Sequence, residues 1–212
     1  MFDAVLSSPA VICGATADTL QGIRQPATEL ALWQRPNWAS GAWLSSLLPE
    51  ALPTCRLTLQ PQEADRTVHA VCDASGTQRH PARDAWVADV AALVAMFARL
   101  RGCPAVQMRL DVLSHNGCRR WHRDCVPLRL ICTCRGPGTQ WVWPEHAPSV
   151  MVQPDEDTPY AQAMATGDVA LFKGCGWPGQ PHDGGVVHRS PRIGGRGVPP
   201  LVLVLDVPPI NG

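Results

Sequence analysis

A chain of 212 residues with 18 basic and 18 acidic side chains carries no net field. That excludes electrostatic capture of nucleic acid or of an anionic membrane as its main task. Nine cysteines, no basic segment leading into an apolar one at the start, and no apolar run of membrane-spanning length point to a cytoplasmic protein with reduced thiols. Such a length can bury a full core within one domain, and 21 Pro with 18 Gly announce many turns and short strands.

In chain order, residues 1–50 carry short helical signals at Glu29–Gln34 and Trp43–Leu48, broken by Pro26, Pro36 and Pro49. Trp33, Trp38 and Trp43 recur every five residues, which suits neither helix nor strand. They are expected to pack this arm onto the body. Cys55–Leu59 and Thr67–Val71 read as short strands, and Ser75-Gly76-Thr77 as a turn. The clearest helix is 84–101, where Trp86, Val90, Leu93, Phe97 and Leu100 share a face. Asp84 near its start and Arg99 and Arg101 at its end complement the helix dipole, and Gly102 with Pro104 stops it.

From residue 105 the period becomes two: Val106, Met108, Leu110 and Val112 alternate with Gln107, Arg109 and Asp111. Further strands are predicted over 128–134, 139–143, 149–152, 167–172, around His188 and over 201–205. Leu128, Leu130, Cys132 and Cys134 form one apolar strand face, so the last two are read as core thiols. The expected fold class is mainly β with flanking helices (α+β). Specifically, it is a double-stranded β-helix, or jelly roll, with an N-terminal helical region and the support helix at 84–101. Residues 1–83 are expected to be an extension packed on a core of residues 84–212.

Within this framework Trp121-His122-Arg123-Asp124, answered by Val187-His188-Arg189-Ser190-Pro191, is the pattern that carries chemistry. On an extended strand residues i and i+2 point the same way, so His122 and Asp124 can share one ion. With His188 they make a facial triad that leaves the opposite side of an octahedral metal open. Cys118 and Cys125 flank this segment and are read as ordinary thiols, His115 and His182 as loop histidines, and Gly174–Gly179 as a loop near the site entrance.

The order of these elements resembles that of the 2-oxoglutarate/Fe(II) oxygenases: His122 and Asp124, then Gly138-Thr139, Gly167-Asp168, His188, and a basic residue, Arg196, ahead of the last strand. More narrowly, the chain resembles the DUF1826 family of uncharacterised bacterial proteins. That resemblance rests on Trp121–Asp124, on Leu128-Arg129-Leu130 running into Arg135–Thr139, and on His188–Pro191. The oxygenase resemblance implies Fe(II) held by His122, Asp124 and His188, and 2-oxoglutarate as co-substrate. Arg196 is the first candidate to receive its distal carboxylate, with Arg129, Arg192 and Lys173 as rivals. It implies a dioxygenase acting on a small molecule or peptide. The alternative is a non-enzymatic zinc-binding jelly roll in metal homeostasis.

Overall fold

The support helix shows how the chain builds outward from local signals. In the computed structural model, which describes residues 8–113, 118–191 and 199–208, helix α3 covers Pro81–Arg101. His80 caps its start, the imidazole accepting from the Ala82 amide at 3.0 Å, and Pro81 takes the first position, where no amide donor is needed. Gly102 ends it at φ +61°, a left-handed turn that glycine adopts without a Cβ clash. The expected stripe of Trp86, Val90, Leu93, Phe97 and Leu100 is buried.

α3 covers one face of a seven-stranded sheet. Its strands are β1 (Val11–Gly14), β2 (Leu30–Trp33), β3 (Cys55–Leu59), β4 (Val106–Val112), β5 (Leu128–Arg135), β8 (Val169–Lys173) and β10 (Leu201–Asp206). Their spatial order is β1-β2-β8-β5-β10-β4-β3, antiparallel throughout except for β1 with β2. A smaller sheet contains β7 (Gln162–Ala163), β6 (Gln140–Trp141) and β9 (His188–Arg189), in that order. Helices α1 (Ser40–Ser46), α2 (Ala64–Ala74) and α4 (Ala147–Val152) complete a mixed α+β architecture. No helix among the described residues is long and apolar enough to cross a membrane.

Away from β3, where Arg56 and Thr58 are exposed, most of the large sheet is covered on both faces, and the two faces differ in kind. Met108, Leu110, Leu130, Cys132, Cys134, Leu171, Leu203 and Leu205 pack into one core with α2 and α3. Ile131, Ala170 and Phe172 point the other way, into a second core shared with Trp141, Met164 and Val186 from the region of the small sheet. Strand alternation sorts the residues between these cores.

Three local expectations are corrected. Within Glu29–Gln34, Leu30–Trp33 is a strand, not a helical turn: Leu30, Ala31 and Leu32 sit between β1 and β8, and a strand covered on both faces reads as a continuous apolar run. Thr67–Val71 lies within α2, whose buried Ala64, Val68 and Cys72 recur at the four-residue helical spacing. Residues 149–152 belong to α4, where Ala147 and Val150, three apart, are the buried pair.

The tryptophans of the arm pack inward around a buried cation. Trp33 and Trp38 flank the Arg35 guanidinium at 4.9 and 5.1 Å, and Trp43 lies 6.3 Å from Trp86. Arg35 itself forks onto Asp89 of α3 at 2.8 and 2.9 Å, donates to the Gly167 carbonyl, and offers its backbone amide to Asp168 at 2.9 Å.

Candidate metal centre

Two distant stretches of backbone meet at one antiparallel bridge. His122 and His188 exchange both amide–carbonyl hydrogen bonds at 3.0 Å, while His188 pairs with Trp141 of β6 on its other side. The bridge sets the imidazole centroids 4.5 Å apart, and Phe172 from the large sheet packs 5.0 Å from the His188 ring. Asp124, two residues on from His122, turns its carboxylate to the same place. One ligand atom from each of His122, Asp124 and His188 falls within 4.8 Å of the others.

The ring tautomers follow from the outer hydrogen bonds. His122 Nδ1 faces the Arg120 carbonyl at 2.9 Å, and His188 Nδ1 faces the Val186 carbonyl at 3.0 Å. A carbonyl only accepts, so each Nδ1 carries the proton and each neutral ring presents an Nε2 lone pair inward. His188 Nε2 then lies 3.3 Å from Asp124 Oδ2, an oxygen that is buried and accepts no hydrogen bond. Two acceptors at that distance repel unless positive charge lies between them. A second proton on the ring supplies it, and so does a metal ion. The residues therefore fit a divalent ion: two imidazole nitrogens and one carboxylate oxygen, each already oriented.

The other carboxylate oxygen is taken. Arg129 of β5 donates from Nη1 to Asp124 Oδ1 at 2.5 Å, and from Nε and Nη2 to the two oxygens of Asp206 at 2.8 and 2.9 Å. Burial, the largest single influence on Asp124, opposes its ionisation. In the metal-free protein, a His188 ring that carries the second proton and donates it to the carboxylate, with Arg129 and then His122, overcomes it and brings the carboxyl down to about 2. Burial and the neighbouring His188 lower the His122 pKa from its ordinary value.

The sign of the linkage is fixed for Asp124, since its folded value lies below the ordinary 3.8. Its contribution is present above the unfolded value and is lost as pH falls through about 2. In metal-free protein, Asp124→Asn should remove about 2 kcal/mol of pH-dependent stability between pH 4 and 2. Urea titrations at stepped pH check this, and an unchanged slope would contradict the ion-pair assignment.

The triad opens into a cavity of about 400 Å³. Its wall includes Arg109, Ile131, Thr133, Thr139, Val202 and Val204. Arg109, on the polar side of β4, attracted no notice in the sequence. The signal was present: Gln107, Arg109 and Asp111 alternate with an apolar face, and in a sheet covered on both sides that polar face points into a cavity. Arg109 contacts Asp206 at 3.4 Å and Asp111 at 3.7 Å, and its buried Nε has no partner.

The other candidates fall as follows. Arg129 lies against the triad, while Arg192, Arg196 and His115 are outside the described residues. Lys173 points away from the cavity: its buried ammonium donates to the Gln25 carbonyl at 2.8 Å and lies 4.7 Å from the Trp177 ring, which Arg101 faces at 4.9 Å. The loop carrying Trp177 is fastened beneath the triad, Cys175 donating its amide to the Asp124 carbonyl at 2.9 Å. A Cβ on Gly174 would strike the carbonyl oxygens of Asp124 and Val126. Cys118 lines the cavity, Cys125 is exposed, and His182 is exposed on its loop. Cys132 and Cys134 are buried in the helix-side core.

Fold and site together define a mixed α+β protein with a His-Asp-His cluster, buried at Asp124 and His188 and half-buried at His122, at the mouth of a cavity. The chain belongs to the family described as "Protein of unknown function (DUF1826)", whose profile matches residues 14–206. No curated protein matches it. Among solved structures it is similar to the dioxygenase for auxin oxidation 1 from Arabidopsis thaliana, in complex with 2-oxoglutarate. There the identity is 14%, the TM-score 0.38, and the match covers 73% of this chain and 62% of that one. The rice dioxygenase for auxin oxidation gives 17%, 0.37, 71% and 55% in the same order. The chain thus spans less than two thirds of either structure, and likeness at that level carries no functional argument.

Proposed function

We propose that this protein is a non-haem Fe(II) oxygenase that uses a 2-oxoacid, most simply 2-oxoglutarate, and that His122, Asp124 and His188 hold the iron. The observation that carries the reading is the converging set of lone pairs: two fixed Nε2 atoms and a buried, unpartnered carboxylate oxygen. A cation resolves their repulsion, and three ligands on one side leave room for co-substrate and O₂ on the other. Iron bound there would supply O₂ activation coupled to oxidative decarboxylation of the oxoacid.

Strand order supports a double-stranded β-helix. From β4 onward the strands fall in the large sheet, the His122 segment, the large sheet (β5), twice in the small sheet (β6, β7), the large (β8), the small (β9) and the large (β10). Two facing four-membered layers result, β8-β5-β10-β4 over β7-β6-β9 and the His122 segment, as in an eight-stranded jelly roll.

The chain's own residues divide the remaining work. Arg109 receives the distal carboxylate of the oxoacid: it faces the cavity with donors that Asp111 and Asp206 leave unused. Arg129 has all three donor positions occupied, and Arg189 is tied to Gln140, Asp157 and the Glu156 carbonyl. Thr133 and Thr139, which line the same cavity, offer hydroxyls to the same ligand. Arg196 stays a second candidate for the carboxylate.

Anaerobic addition of Fe(II) and 2-oxoglutarate should give a weak visible charge-transfer band that shifts or fades in Arg109→Ala. A second reading, a zinc-holding protein without turnover, is favoured by Cys118 on the cavity wall, a soft donor within the same pocket. Stoichiometric zinc that the oxoacid does not perturb and iron cannot replace would establish it in place of the oxygenase.

A further inference from the structure

We infer that Arg129 limits Asp124 to a single metal-ligating oxygen and so keeps half of the coordination sphere open. This rests on the metal reading of the triad and adds a positioning role that neither the motif nor the family carries. A carboxylate facing a divalent ion can bind through one oxygen or chelate through both. Here the choice is made beforehand. Oδ1 is held by Arg129 Nη1, whereas Oδ2 is buried, accepts no hydrogen bond and sits beside His188 Nε2. Chelation would require Arg129 to let go of Oδ1.

Arg129 is itself fixed from behind. Its Nε and Nη2 form a two-pronged bond with Asp206, and the side chains of Arg129, Asp124 and Asp206 are only 18, 9 and 5% exposed. With Nε, Nη1 and Nη2 each engaged, Arg129 cannot swing away without giving up a bond to one of the two carboxylates. The register enforces the arrangement, since Arg129 of β5 lies directly opposite Asp206 of β10.

Charge and geometry act in opposite senses, which makes the role separable from mere support. A cation this close to a divalent site repels the metal, and the low exposure leaves little water to screen it. Arg129 therefore weakens metal binding while preserving open positions. A residue serving only as a brace would strengthen binding. With one oxygen from Asp124 and one nitrogen from each histidine, an octahedral ion keeps three positions, enough for a bidentate oxoacid and O₂ together. With Asp124 chelating, two remain.

Mn(II) is the probe, because its water-proton relaxation counts the waters bound to it and its affinity can be titrated without turnover. Wild type should hold Mn(II) with about three exchangeable waters. Arg129→Met should bind it about tenfold more tightly and retain about two. Asp206→Asn, which removes a negative charge but leaves Arg129 on Asp124, should bind it about tenfold more weakly with the wild-type water number. Opposite changes in affinity from the two ends of one ion-pair chain are the signature. Arg129→Met that loses Mn(II) while folded, or keeps three waters, overturns the role of Arg129. Should that variant fail to fold, tighter binding or a lost water in Asp206→Asn overturns it equally. Wild-type protein that retains no Mn(II) overturns the metal site itself, and this inference with it.

Discussion

His188→Ala should lower divalent-metal affinity by more than about a hundredfold and also destabilise the metal-free protein, the largest combined effect expected of a single substitution at the site. The ring is 4% exposed, its Nδ1–H is committed to the Val186 carbonyl, and its Nε2 is aimed at Asp124. No described neighbour can replace it, because among the described residues the only His, Cys, Asp or Glu cluster of this kind is the triad itself. Removing a ring packed against Phe172 also leaves a void, costing about 1–3 kcal/mol in the metal-free protein. His122→Ala should match the metal effect with a smaller stability loss, since its side chain is 30% exposed. Metal content after dialysis, with apoprotein melting curves, separates the two contributions. Full metal occupancy in both variants would remove the centre from consideration.

Arg35→Leu should cost about 3–5 kcal/mol of stability without touching the site directly. The penalty comes from what the change leaves behind: Asp89 loses the Nη1 donor that both its oxygens share and the Gly167 carbonyl loses its donor, with Arg35 only 7% exposed at the side chain. For a domain of this size that corresponds to a melting-point drop of about 10 °C. Arg35→Leu combined with Asp89→Leu should recover part of it, because the stranded charge goes too. A single substitution within about 0.5 kcal/mol of wild type in urea unfolding would show that this buried pair is not what fastens the arm to α3.

The catalytic-looking residues were legible in the sequence because they are written as spacing. A His-x-Asp pair on extended backbone carries its own geometry, and the later histidine needed only the right strand order to meet it. α3 was equally plain, with caps and stripe agreeing. The misreadings share a physical cause. Leu30-Ala31-Leu32 has no alternation because both its faces are covered, and such a run is indistinguishable from a buried helical turn until its neighbours are known. Arg109 was passed over for the converse reason. A polar side of a strand is ordinarily assigned to water, yet β4 turns Arg109 and Asp111 toward an open-mouthed cavity. Arg129 read as a rival for the oxoacid carboxylate and has all three nitrogens engaged with Asp124 and Asp206, because its partner Asp206 lies 77 residues away and only the β5–β10 register reveals it.

The position of β10 has a consequence for how the protein comes into being. It is the last of the described strands to leave the ribosome, yet it fills the middle of the large sheet, between β5 and β4. Until it arrives, two long hydrogen-bonding edges stand apart and Arg129 lacks the acid that steadies it. The Arg129–Asp206 pair behind Asp124 therefore forms only once β10 has docked between β5 and β4.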